Sequence, residues 1–231
     1  MEDLRMSECL SIPYLLPSEL THRDVAELLG YCFEDLGCAR SPPEEETTNQ
    51  FRYTTEETDW RQVTGSSIEE ATQALERAGC GSIRFWYDDL NVGLQINLDA
   101  PDRPIESSVA LSIDEWYTRP WWDSEPALIY EFVLELYDYL SPLYIYGDTY
   151  LDEASLSREA VKNGQLEDLF WVNGYGPQMT ERLGRDRLLN APAWRIDECD
   201  DGGVFLWISP LPLSESRNQR YDAVTEYLDL A

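Results

Sequence analysis

Apolar residues recur along the chain at two periods. Val25, Leu28, Leu29, Cys32, Phe33 and Leu36 share one face at helical spacing. Thr21 and Asp24 have the spacing of a capping box ahead of that stripe, and Gly37 suits its stop. Ser67 and Glu70 repeat the device before Ala71, Leu75 and Ala78, with Gly79 as the terminator. The strongest helical pattern follows Ser124 and Pro126, through Leu128, Ile129, Phe132, Val133, Leu136 and Leu140, and closes at Pro142. Pro177 fits the first turn of a shorter helix that Gly184 ends, because a proline there gives up no intrahelical hydrogen bond. Tyr221, Val224 and Leu228 mark a last amphipathic helix within SESRNQRYDAVTEYLDL.

Between these lie β-rich runs. SIPYLLP (11–17) is an entry strand or extended segment, and FRYTTEETDW adds another. SIRFWYD and NVGLQINLD, joined by a short Asp-Leu-Asn connection, form a hairpin. SSVALSID alternates Val109, Leu111 and Ile113 toward one buried face. LYIYGDTYLDEASLS is strand-like before a turn at Gly147 and Asp148, and Phe170 to Val172 is a short strand. AWRIDEC and VFLWIS flank DDGG, a second hairpin whose Gly202 and Gly203 are free to take positive φ. The sum is an α+β fold: an antiparallel or mixed sheet, helices packed mainly on one face, and an αβ pattern able to recur in two halves. No segment reads as a linker. A single domain over 1–231 is expected, with the polar stretch ARSPPEEETTN (39–49) as its exposed loop.

Charge changes the picture next. Forty-five acidic side chains face 17 basic ones, a net charge of −28, and Lys162 is the only lysine among the 17. The acids are spread along the whole chain, so the property belongs to the entire surface. Such a surface repels itself in dilute buffer and is screened in molar salt, where the Debye length shrinks to about 3 Å. A halophilic source follows as an expectation. The same charge argues against direct binding to nucleic acid, whose phosphates require positive partners.

Chemistry is sparse. Cys9, Cys32, Cys38, Cys80 and Cys199 are odd in number and form no CxxC pair, so reduced thiols are expected. MEDLRMSECL lacks a basic region followed by an apolar run, and no 18-residue apolar run exists. The expected location is the cytoplasm, with no membrane partner. His22 is the only histidine, so Ser-His-Asp or Cys-His catalysis would have to pass through it. No metal motif appears. Asp148, Asp152 and Glu153 are the nearest approach to a hard-cation site, and clusters of this kind arise by chance among 45 acids. In FWVNGYGPQMTERLG (170–184) the spacing N-G-Y-G-P matches neither GxGxxG nor a P-loop, and Pro177 removes a donor an anion would use. Gly174, Gly176 and Pro177 therefore read as a strand-to-helix corner. No catalytic residue, metal or cofactor is expected.

Aromatic residues remain. Trp116, Tyr117, Trp121 and Trp122 crowd one segment, and Trp171, Tyr175 and Trp194 another. Most such residues pack cores, but Trp and Tyr also anchor protein interfaces. Trp116, Tyr117, Trp121, Trp122, Trp171 and Tyr175 are the candidate partner interface.

One stretch carries a resemblance. Phe170–Asn173, Tyr175–Pro177, Leu183–Gly184, Leu188–Pro192 and Asp200–Gly203, with YIYGDTYLD upstream, resemble the end of the immunity protein 52 family over about residues 140–212. Those proteins are encoded beside polymorphic toxins. The resemblance implies a non-enzymatic α+β binding protein that docks on a cognate protein toxin and neutralises it. A basic nuclease would suit the acidic surface. The alternatives are a carboxylate-dependent hydrolase, which needs only two acids across a cleft, and an adaptor or scaffold unrelated to toxins.

Overall fold

The computed structural model describes residues 9–42, 50–59, 61–98, 108–113, 127–149, 151, 156, 158–166 and 168–230. Its contacts gather into two compact units, Ser18–Asp114 and a second made of Met1–Pro17 with Glu115–Ala231.

The second unit opens with β1 (Leu10–Leu15); the first unit holds helix α1 (His22–Gly30), strands β2 (Phe51–Thr55) and β3 (Val63–Gly65), helix α2 (Ile68–Ala78), and strands β4 (Cys80–Tyr87), β5 (Leu90–Asn97) and β6 (Ser108–Ile113). The Thr21–Asp24 capping box forms as read from sequence. The helix then widens into a π-helical turn over Tyr31–Asp35, where Leu36 N–H reaches Tyr31 O, and Gly37 follows with φ +70°. At α2 only half of the expected box is present. Ser67 accepts from Glu70 N–H at 3.1 Å, but the Glu70 carboxylate turns to Ser66, one residue earlier, and takes its N–H at 2.7 Å. Gly79 caps the other end at φ 71°.

The five strands of this unit pair antiparallel in the order β3-β2-β4-β5-β6. Register stacks Ile83 on Leu94, Phe85 on Val92, Leu94 on Leu111 and Ile96 on Val109, and all of these are fully buried. Helix α2 lies on that face: a Cβ on Gly81 would stand 2.3 Å from Leu75 Cδ2. The other face carries Ser82, Arg84, Gln95 and Ser112, all half-buried. The hairpin turn is tighter than expected, since Tyr87 pairs with Leu90 and Asp88 takes φ 51°. The start of the polar 39–49 stretch is held in place, with Ala39 N–H bonded to Trp86 O at 2.7 Å and Ser41 buried. Residues 43–49 lie outside the described residues.

The second unit continues with α3 (Ala127–Leu140), β7 (Tyr144–Gly147), α4 (Arg158–Lys162), β8 (Val172–Tyr175), α5 (Pro177–Leu183), α6 (Arg185–Leu189), β9 (Arg195–Glu198), β10 (Val204–Trp207) and α7 (Arg217–Leu228). Its strands run antiparallel in the order β1-β7-β8-β10-β9. Every residue of β8 and β10 is buried. Alternation along a strand explains how. Phe205 and Trp207 meet Tyr137 and Tyr130 of α3, with ring centroids 5.0 and 4.5 Å apart. Val204, Leu206 and Ile208 face the opposite way, into a core with Met179, Leu188, Val224 and Leu228 from α5, α6 and α7. The α+β fold is as expected, with helices over one sheet face in the first unit and over both in the second. Among the described residues no helix is long and apolar enough to cross a membrane.

Candidate functional site

Glycine and proline placement in FWVNGYGPQMTERLG differs from a single corner. Gly174 lies inside β8, paired with Ile145 and Phe205, and a Cβ there would stand 2.6 Å from the Phe205 ring. Gly174 thus lets an aromatic lie flat on the strand. The turn itself falls at Gly176, the N-cap of α5, with Pro177 in the first helical turn. Gly176 sits against the Pro142 carbonyl, and Gly184 (φ +91°) separates α5 from α6. Gly202 (φ +91°) lies in the five-residue connection between β9 and β10. Gly203 has no positive φ. Its missing Cβ instead makes room for the Tyr137 hydroxyl, which would be 1.9 Å away.

The candidate interface residues divide in two. Trp116, Tyr117, Trp121 and Trp122 lie outside the described residues, as do Asp152 and Glu153. Trp171 and Tyr175 are both 0% exposed, so they present no surface to a partner here. The Trp171 indole N–H donates to Ser209 O at 2.8 Å, and its ring stands 5.3 Å from Trp207. Tyr175 lies in the core beneath α5, and burial raises its phenol pKa above the ordinary value. Both residues pack strands on helices.

Apart from the Tyr175 hydroxyl, which has no hydrogen-bond partner among the described residues, the buried polar side chains of this sheet are tied to structure in the same way. Asp148, which closes β7, receives the Arg217 guanidinium in a two-pronged ion pair, one prong at 3.0 Å. It also accepts Trp171 N–H at 3.2 Å and Thr149 N–H at 2.7 Å, while Arg217 donates to Pro212 O at 2.8 Å. The arrangement pins the start of α7 to the sheet, and Asp148 has a cationic side chain where sequence offered a cation site. Asn173 accepts from the Tyr144 hydroxyl at 2.9 Å and Phe170 N–H at 3.0 Å, and donates to Phe170 O at 2.8 Å. Asp201 accepts from the Tyr137 hydroxyl at 2.9 Å and Gly203 N–H at 2.8 Å. Near it, burial and the Asp201 charge raise the Asp138 pKa, and burial with Asp138 pushes the Cys199 thiol up to about 12. Cys199 is therefore a poor nucleophile at neutral pH. All five cysteines are free thiols. His22 Nδ1 meets Glu76 at 3.0 Å. Among the described residues no group of three or more His, Cys, Asp or Glu side chains is arranged to hold a metal ion.

The strand order leaves two edges among the described residues, β3 in the first unit and β9 in the second, and β9 is the one with Trp194 and Arg195 beside it. Cys199 N–H bonds to Gly203 O, and pairing alternates from there, so Arg195 and Asp197 turn their backbone groups to β10. The N–H and C=O groups of Ile196 and Glu198 point the other way, where no strand pairs among the described residues. Beside this edge Trp194 stands half-buried, its ring 5.9 Å from Tyr130. Arg195 lies 4.9 Å over the same Tyr130 ring and also pairs with Asp197, whose carboxylate takes the Trp207 indole N–H at 2.7 Å. A tryptophan and an arginine held rigidly next to unpaired backbone donors and acceptors are suited to gripping another chain. Sequence grouped Trp194 with Trp171 and Tyr175. Only pairing order shows that it borders an open edge.

No family model matches the chain, and no curated protein matches it. Among solved structures it is similar to the Pseudomonas aeruginosa T6SS protein PA0821, with a TM-score of 0.52 at 12% identity, over 96% of this chain and 72% of that one. At that identity the likeness is one of fold.

Proposed function

We propose that this chain is a non-enzymatic immunity-type protein that binds and neutralises a cognate protein toxin. The observation that carries the reading is the open β9 edge, with Trp194 and Arg195 fixed beside it. An extended segment of the toxin adds to that edge, its backbone meeting Ile196 and Glu198 and its side chains meeting Trp194. The C-terminal resemblance to immunity protein 52 and the fold likeness to a type VI secretion system (T6SS) protein support the same reading. The net charge of −28 favours a basic toxin such as a nuclease and speeds the encounter. The aromatic segment with Trp116, Tyr117, Trp121 and Trp122 is a second part of the proposed interface. The setting is the cytoplasm of a salt-loving cell. Lowering salt from molar to about 0.1 M then lowers the melting temperature, and an unchanged value would remove the halophilic reading.

Co-expression with the protein encoded beside it tests the function. The neighbour alone should stop growth, and this protein should restore it. Ile196→Pro removes one outward N–H and leaves the β10 ladder intact, so it should abolish rescue while preserving the fold. A harmless neighbour, or a lethal one that this protein does not counter, would contradict the proposal.

A further inference from the structure

A pocket of about 140 Å³ is lined by Leu143, Lys162, Gln178, Met179 and Arg182, two of them cationic. Among the described residues neither makes an ion pair, although acids outnumber bases 45 to 17 in this chain. Arg185, Arg195 and Arg217 all find carboxylates. Arg182 is instead held by backbone: its stem crosses Gly164, which turns the chain after α4 at φ +70°, and its guanidinium donates to Lys162 O. Lys162 reaches toward Pro17 O at 3.5 Å. The floor is apolar, formed by Leu143 and Met179, which are 7% and 3% exposed. Gln178 adds an exposed amide at the rim.

We infer that this pocket binds a single carboxylate carried on a short hydrocarbon stem. A point charge, a planar guanidinium fork and an amide donor together match the two oxygens of a carboxylate. Leu143 and Met179 accept the stem, methionine adapting to its shape. The volume falls below the roughly 300–1,000 Å³ of pockets for drug-sized ligands, so the occupant is fragment-sized. The field of a chain carrying −28 penalises each further negative charge, which favours a monocarboxylate over a phosphate dianion. A free short-chain acid and the C-terminal carboxylate of another chain share this chemistry. The inference stands independently of toxin neutralisation.

The test is a titration of the full chain at fixed ionic strength, read on the Gln178 side-chain amide and the Met179 methyl by NMR. The probes are butyrate, a short apolar peptide with a free C-terminus, its amidated twin, and inorganic phosphate. Saturable shifts with butyrate or the free peptide, weakened about tenfold or more in both Lys162→Gln and Arg182→Gln, support the site. Butyrate binding without the peptide assigns a free acid; peptide binding with a silent amidated twin assigns a chain terminus. Shifts that never saturate, that persist in both variants, or that favour phosphate overturn it. Lys162 is exposed and its variant keeps the Arg182 bond to the residue-162 carbonyl, so loss of binding there is not a folding defect.

Discussion

The two units of this chain solve the same problem with different sheets. In Ser18–Asp114 one face of a five-stranded sheet is buried under helix, and the other, among the described residues, carries half-buried Ser82, Arg84, Gln95 and Ser112 beside buried Trp86 and Ala110. In the second unit β8 and β10 are buried on both faces, between α3 on one side and α5 to α7 on the other. A partly exposed face can leave its polar side chains in contact with water. A two-sided sheet satisfies most of its polar groups internally, because a buried group without a partner costs about 1–3 kcal/mol, and the Tyr175 hydroxyl of β8 is the exception among its described side chains. The second unit accordingly holds Asp148 with Arg217, Asn173 with Tyr144, and Asp201 with Tyr137. Its titratable interior follows from how completely its sheet is enclosed.

Alkaline pH should break the comparison most forcefully. Tyr137, Tyr144 and Tyr175 all have phenol pKa values raised by burial, with Asp201 adding to the effect on Tyr137. Each folded value lies above the unfolded one of about 10, so the stability they contribute is full below that pH and is lost as pH rises toward the folded values. Residue-resolved NMR during an alkaline titration should show the second unit losing structure first. Loss beginning in the first unit would remove the contrast.

Substitutions sharpen it. Trp207→Ala, between α3 and the sheet, should cost about 3–5 kcal/mol in urea unfolding, while Gln95→Ala on the partly exposed face of the first unit stays within about 0.5 kcal/mol. Arg217→Ala strands the Asp148 carboxylate and should cost about 3 kcal/mol. The double replacement Asp148→Leu with Arg217→Met should recover most of that loss; no recovery would mean the pair does more than fill space and satisfy itself. Ser67→Ala, which removes the remaining half of the α2 cap, should cost about 1 kcal/mol by the same measurement.

The contrast also explains what sequence could disclose. Val109, Leu111 and Ile113 alternate because one face of β6 is buried, and the strand was legible at once. β8 does not alternate in burial and carries a glycine, so only Phe170 to Val172 read as strand and Gly174 as part of a corner, whereas the equally buried β10 was legible from its apolar run VFLWIS. In α3 the sequence stripe missed Tyr130 and Tyr137, which are buried because the sheet below presents aromatic rings to them. Trp171 and Tyr175 had the composition of interface anchors and the placement of core. The β9 edge was invisible for a simpler reason: whether a strand is paired on one side or two depends on strand order, which no local pattern encodes.

The measurement that bears most directly on the proposed docking is amide hydrogen exchange of this protein with and without the purified toxin. The account predicts that Ile196 and Glu198 N–H groups, which point away from β10, exchange freely alone and become protected in the complex. Protection elsewhere, with those two amides exchanging as fast as before, would contradict it.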